Sequence, residues 1–286
     1  MKKVLITGAN SYIGTSFENY VKENRIDFEI DTLDLLNPNW QEFNFSGYDS
    51  VFHVAGIAHV SEKKIPMEVY DAVNRKLAIE VATLAKEAGV RQFVFMSTMS
   101  VYGLNTGRIT STTPATPTTK YGQSKYQAEE ELLKLREEDF KLAIVRPPMV
   151  YGKESRGNFS RLLNLVKKSS FFFKLDNQRS MIYIVHLSQF IAELIHHEVD
   201  GVFFPQNTEY VSTVEMVKIM SKVLDKNILF LPLPLGQSII NRLPVVNKVF
   251  GTLTYDKEMS ELISPSGNRI DYCKVSFEDS IKESVL

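Results

Sequence analysis

Tyr121 and Lys125 stand four residues apart in YGQSKYQAEEEL, and on a helix that spacing puts phenol and ammonium on one face. A positive charge beside a phenol favours the phenolate and draws a pKa of about 10 toward neutrality, making tyrosine a usable general acid or base. Such a pair is common by itself. Its weight comes from Ser97, Thr98 and Ser100, three hydroxyls at the end of the preceding apolar run. Strand ends in open α/β sheets face the ligand crevice, where a hydroxyl can hold a substrate hydroxyl or keto oxygen beside the tyrosine. Tyr102 and His53 are read more plainly, as a packed aromatic and a strand histidine with its hydrogen bonds satisfied.

A second constellation lies at the N-terminus. An apolar run ending at Thr7 meets Gly8, Ala9, Asn10, Ser11, Tyr12, Ile13 and Gly14, and a helix-period segment follows. Glycines at a strand-to-helix turn let the backbone approach a pyrophosphate, and the helix start offers it free N–H groups and a positive dipole end. Asp34 closes the second apolar run 20 residues after Gly14. An acidic side chain there binds both ribose hydroxyls and repels a 2′-phosphate, so NAD is favoured and NADP is the second choice. The plainer role for Asp34 is a turn or N-cap residue before Leu35.

These groups need elements to hold them. Short β-branched runs predict strands over 3–7, 28–34, 50–55, 92–97, 141–146 and 201–205. Helix-period segments between them predict helices over 13–23, 67–88, 121–138 and 187–195. The alternation implies parallel βαβ units, hence an α/β fold: a Rossmann doubly wound parallel sheet with a small C-terminal α/β subdomain. Residues 106–119 read as a Thr/Pro-rich loop too polar for core, and 206–286 lose the alternation.

Of 286 residues, 44% are hydrophobic and 23% charged, enough for one large domain or two modest ones. The net charge of −1, without a block of either sign, argues against nucleic acid as a partner. A single cysteine, Cys273, excludes a disulfide framework, fits the cytoplasm, and with no HExxH pair leaves no expected metal site. Lys2 and Lys3 precede only three apolar residues before Thr7, too few for a signal peptide. The most apolar stretch, 228–250, is cut by three prolines and reads as core and loop, with membrane-surface contact a distant second.

The chain resembles the extended short-chain dehydrogenase/reductases of the nucleotide-sugar epimerase and dehydratase type over nearly its full length. The resemblance rests on TGANSYIG (7–14), VFHVAG (51–56), Asn74 in AVNRK, AGVRQFVFMST (88–98), SVYG (100–103), YGQSKYQAEEEL (121–132), VRPPMVYG (145–152), GNF (157–159) and NQRSMIYIVHL (177–187). It implies that Thr98, Tyr121 and Lys125 are the catalytic trio, with Ser97 adjoining. It puts Gly8, Asn10, Tyr12, Ile13, Gly14, Asp34, Leu35, Ala55, Gly56, Asn74 and Pro148 at the dinucleotide, with Ser97, Tyr121 and Lys125 beside them. Ser11 belongs to the same cradle but replaces the middle glycine of the family's GxxGxxG, which implies an altered seat or weaker binding. Asn158 and Arg179, with Thr98 and Ser100, fall where the family grips its nucleotide sugar. Arginine suits that task, since its planar fork can hold diphosphate oxygens; the plainer role for Arg179 is a surface ion pair.

Met149 replaces an asparagine common in epimerases, and Val185 with His186 replaces an acidic or amide pair. A βα unit is abridged between Asp34 and Ser50. Met99 and Ser100 stand where related 4,6-dehydratases carry the acid and base that eliminate water, and where decarboxylases carry a glutamate. What remains is 4-epimerisation of a nucleotide sugar, such as a UDP-hexose or UDP-N-acetylhexosamine, or reduction of a 4-keto-6-deoxy nucleotide sugar. A dinucleotide sensor without catalysis is the reading from a different class. The resemblance further implies a homodimer through helices near 67–88 and 121–138. The dinucleotide half is expected over 1–152 plus about 180–205, and the sugar-binding subdomain over 153–179 plus about 206–286.

Overall fold

Six of the apolar runs become the strands of one sheet. The structure is a computed structural model and describes residues 1–58, 65–174, 176–232 and 251–286. Most of the apolar 228–250 stretch, residues 233–250, therefore lies outside the described residues. In chain order the first half comprises β1 (Lys2–Thr7), α1 (Tyr12–Glu23), β2 (Phe28–Leu33), β3 (Ser50–His53), α2 (Met67–Tyr70), α3 (Leu77–Glu87), β4 (Gln92–Met96), β5 (Gly107–Ile109) and α4 (Lys120–Leu132). Then follow β6 (Lys141–Val145), β7 (Met149–Tyr151), α5 (Asn158–Lys168), β8 (Phe171–Phe173), β9 (Met181–Tyr183), α6 (Ile184–His196) and β10 (Gly201–Phe203). The last stretch holds α7 (Thr213–Val223), β11 (Leu229–Leu231), β12 (Leu253–Tyr255), β13 (Leu262–Ile263), β14 (Arg269–Ile270) and α8 (Phe277–Val285).

The main sheet runs β2-β1-β3-β4-β6-β10, and all its pairings are parallel. Strand alternation explains why it is covered on both faces. Val4, Ile6, Phe52, Val94 and Val145 join α1 and α6 in one core, while Leu5, Val51, Phe93, Phe95 and Ile144 join α3 and α4 in the other. Each such fully buried side chain contributes about 1.5–3 kcal/mol. The strand order reverses between β2 and β3 on either side of β1, which opens the ligand crevice above β1 and β3. Between β2 and β3 the chain makes only a short 3-10 turn at Trp40–Glu42, so the abridged unit is a turn rather than a helix.

Outside the sheet the sequence reading is less complete. Within the polar 106–119 loop, β5 pairs with β12, and Ile109 is fully buried with Val101, Tyr102, Leu253 and Tyr255. Tertiary pairing thus overrides local polarity. β7 pairs with β9 and β8 with β11, and α8 packs on α7. No helix among the described residues is long and apolar enough to cross a membrane.

His53 ends β3 at the centre of the sheet, fully buried, with its ring between those of Phe93 and Phe95. Its Nδ1 meets the Thr7 hydroxyl at 2.8 Å, but Nε2 has no partner among the described residues, so this histidine is only half satisfied. Burial, aided by the Lys125 charge, pushes it down to about 3. Between that value and the ordinary value near 6.5, the unfolded chain binds a proton that the folded chain refuses, so stability falls as pH falls through this window. From pH 7 to pH 5 this residue costs about 2 kcal/mol of stability. Urea midpoints of His53→Gln should therefore fall less with acid than those of the parent; parallel curves would refute the assignment.

Candidate active site

The hydroxyl trio stands at the C-terminal edge of the sheet. β4 ends at Met96, and Thr98 caps the following 3-10 turn, Met99–Tyr102, by accepting a hydrogen bond from the Ser100 N–H at 3.1 Å. The Thr98 hydroxyl also stands near the half-buried Tyr121 phenol and favours its phenolate form. α4 brings Tyr121 there because Thr119 caps it, accepting from the Gly122 N–H at 3.0 Å.

Lys125, one turn on, is 3% exposed. Its Nζ donates to the Met96 carbonyl at 2.9 Å and lies 4.6 Å from the Phe95 ring centroid. Burial pushes this amine down to about 8, with Glu129 pulling the other way. The phenol does not follow the simple expectation of an ammonium beside it. Burial pushes Tyr121 up to about 12, the Thr98 hydrogen bond opposing the shift and Tyr70 adding to it. The desolvation of the phenolate outweighs the charge of an amine already engaged by a carbonyl.

Asn74 lies on a π-helical turn, Asp71–Lys76, between α2 and α3. It is fully buried: its Oδ1 accepts from the Ile57 N–H at 2.7 Å, and its Nδ2 donates to the Ile57 carbonyl and the Ser124 hydroxyl. That clip joins the exit of β3 to α4 next to Lys125, so the amide acts on backbone and helix position. Ser97 is buried too and donates to Glu129. Sequence reasoning missed Glu129 itself. It is 1% exposed and receives Arg146 through Nε, at 3.1 Å to each carboxylate oxygen, and through a 2.5 Å bond from Nη2. Arg146 also donates to the Tyr102 hydroxyl at 2.9 Å.

At the N-terminal turn Gly8 has φ +119°, and a Cβ there would lie 2.8 Å from the Ala55 nitrogen. Asn10 takes a left-handed conformation with φ 60°. Ser11 caps α1 by accepting from the Gly14 N–H at 3.2 Å, so it fills one donor that the missing glycine would leave free. The amides of Tyr12 and Ile13, in the first helical turn, have no carbonyl four residues back within the helix. The Tyr12 side chain points elsewhere, its buried hydroxyl being 2.6 Å from where a Cβ on Gly152 would stand. A Cβ on exposed Gly56 would lie 3.0 Å from Asn74 Oδ1 and 3.2 Å from Lys125 Nζ, so glycine keeps that space open. Leu35 packs partly buried on the second core, and Pro148 is buried just beyond β6.

Asp34 is exposed, and one carboxylate oxygen accepts from the Leu36 N–H at 2.9 Å. It thus makes the turn its plainer reading required while its carboxylate stays accessible. A glycine cradle, free first-turn amides and an acid at the end of β2 fit a dinucleotide.

On the other side, Asn158 opens α5 after Gly157. Arg179 is half-buried and forms no ion pair among the described residues; Nη1 donates to the Gly251 carbonyl at 2.7 Å. Burial lowers its pKa, the mark of a cation lacking a countercharge. α5 was not among the helices expected from the sequence, although Phe159, Leu162 and Val166 recur at helical spacing and are buried on its inner face. His186 is buried, with Nδ1 against Asn207 and Nε2 accepting from Val275 N–H. No group of three or more metal-ligating side chains occurs among the described residues.

Because Glu129 links α4 to the ends of β4 and β6, Glu129→Gln should leave Arg146 a buried, uncompensated charge and cost about 3–5 kcal/mol in denaturant unfolding. Adding Arg146→Met should recover much of that loss. A Glu129→Gln variant as stable as the parent would show that the pair does not hold the helix.

Residues 4–203 match the model of the NAD dependent epimerase/dehydratase family. A UDP-glucose 4-epimerase of Vibrio cholerae is 29% identical, over 89% of this chain and 87% of that protein. The solved UDP-glucuronic acid 4-epimerase of Bacillus cereus, in complex with NAD, superposes with a TM-score of 0.74 at 18% identity, over 99% of this chain and 95% of that one. A dTDP-4-dehydrorhamnose reductase from Bacillus anthracis str. Ames, in complex with NADP, gives a TM-score of 0.65 at 26% identity, over 82% and 84% of the two chains. With the family match spanning the whole main sheet and the Thr98, Tyr121 and Lys125 cluster, this chain belongs to the NAD dependent epimerase/dehydratase family of enzymes.

Proposed function

We propose that the protein epimerises C4 of a nucleotide-activated hexose, a UDP-hexose or UDP-N-acetylhexosamine, for surface polysaccharide in the cytoplasm. The observation that carries this reading is the Thr98 hydroxyl, held by the Ser100 N–H close to the Tyr121 phenol, where it favours the phenolate. NAD, when bound, supplies the hydride acceptor and donor. Tyr121 takes the C4 hydroxyl proton as the hydride leaves C4, and gives it back after the 4-keto sugar has presented its other face. Thr98 holds the C4 oxygen during both steps. Lys125 is assigned to support the phenolate against the burial that raises Tyr121. Met99 and Ser100 offer no acid and base pair for elimination, which keeps the chemistry to hydride and one proton.

Asp34 is assigned to the ribose hydroxyls, and its charge disfavours the 2′-phosphate of NADP. Arg179, a half-buried cation with no carboxylate partner among the described residues, suits the sugar nucleotide's diphosphate, with Asn158 at the start of α5. Residues 1–152 with about 180–205 then serve the dinucleotide, and 153–179 with about 206–286 serve the sugar. A homodimer is proposed through the helices of 67–88 and 121–138, that is α2, α3 and α4. A groove of about 700 Å3, lined by Met67, Glu68, Arg75, Gln127 and Lys134 among others, runs between these helices rather than at the strand ends.

The second reading is reduction of a 4-keto-6-deoxy nucleotide sugar, favoured by the 26% identity to a solved reductase. Both use the same residues. Purified protein should interconvert gluco and galacto forms of a UDP-hexose without net cofactor change, and Tyr121→Phe should lose about 10²–10⁴-fold in turnover while still binding the dinucleotide. Stoichiometric oxidation of reduced cofactor by a 4-keto sugar would favour the reductase. Dinucleotide binding with neither activity would leave the sensor.

A further inference from the structure

An apolar face in the C-terminal lobe has no role in this chemistry. β8 and β11 pair in parallel with Leu229 opposite Phe171 and Leu231 opposite Phe173. Alternation sends Phe172 and Phe230 inward, their rings 6.4 Å apart, and the other side chains outward. Phe171 is 50% exposed, Phe173 37% and Leu229 63%. The two outer phenylalanine rings lie edge to face at 5.7 Å and form one apolar surface in water.

The charge beside this face is mainly positive, with Glu154 and Asp176 at the ends of the run and Asp225 next to Lys226. From residue 155 to residue 174 the chain carries Arg156, Arg161, Lys167, Lys168 and Lys174 and no acidic residue, although the whole chain has a net charge of −1. Lys167, Lys168 and Lys174 are exposed. Lys226, at the start of the β11 side, donates to the Val166 and Lys167 carbonyls and ties the small sheet to the end of α5.

Exposed aromatic and leucine side chains collared by lysines are what the interface of an anionic bilayer selects: rings enter the headgroup region while ammonium groups meet phosphates. The core of a protein–protein contact is instead depleted of lysine, and two copies of this face would repel each other. We propose that the Phe171, Phe173 and Leu229 face, with its lysine collar, docks the protein reversibly on the surface of an anionic lipid bilayer. This holds whichever sugar the active site turns over.

The test is sedimentation of the full chain with vesicles of phosphatidylcholine alone or mixed with phosphatidylglycerol, at low and high salt. Binding to the mixed vesicles should exceed that to neutral ones by about tenfold or more and fall with salt. Phe171→Ser with Phe173→Ser, and separately Lys167→Glu with Lys168→Glu and Lys174→Glu, should each abolish it. Both variants should keep nucleotide-sugar turnover and the parent circular dichroism. Failure of the parent to sediment with anionic vesicles, or sedimentation that both variants retain, would overturn the proposal. A phenylalanine variant that instead changes the oligomeric mass, with no vesicle binding by the parent, would overturn it in favour of a protein contact.

Discussion

Glu129 and Arg146 form an ion pair beneath the site, almost out of reach of water, and it joins the helix and strand ends that carry Thr98, Tyr121 and Lys125. Removing two charges from water costs several kcal/mol each, so the pair persists only because its remaining valences are filled. Ser97 donates to the carboxylate, Tyr102 takes a guanidinium hydrogen, and the Tyr102 and Phe204 rings flank the cation. Glu129 sits on α4, Ser97 follows β4, and Arg146 follows β6. The pair therefore fixes the helix that carries Tyr121 and Lys125 against the strand end that carries Thr98.

From that anchor the site's electrostatics follow. Lys125 is held against the Met96 carbonyl, the Phe95 ring and the space kept open by Gly56. Its depressed pKa and the raised pKa of Tyr121 have one cause, the withdrawal of water. Asn74 clamps the same helix from the other side through Ser124, using a π turn to reach across. The crevice is thus built by groups that mostly do not face it.

This explains what could be read from the sequence and what could not. The six sheet strands were legible because burial on both faces demands short β-branched runs, and the Gly8 turn because glycine spacing has a backbone reason. Tyr121 and Lys125 were legible because helix geometry fixes neighbours four apart. Glu129 was not: it lies in the run Glu129, Glu130 and Glu131, which reads as a solvated face, and only Arg146, from another element, distinguishes it. β5 was hidden for a similar reason. Its partner β12 is far along the chain, and its local composition is that of a loop. The bond from Ser97 to Glu129 was hidden for the same reason, since its partner lies 32 residues along the chain.

If Tyr121 and Thr98 manage one proton while hydride leaves and returns to the same carbon, the C4 hydrogen never reaches water. The most direct test is turnover of a UDP-hexose deuterated at C4. The account predicts that the epimerised product keeps the deuterium at C4 and that the solvent gains none. Loss of the label to water, or product carrying a solvent hydrogen at C4, would contradict it.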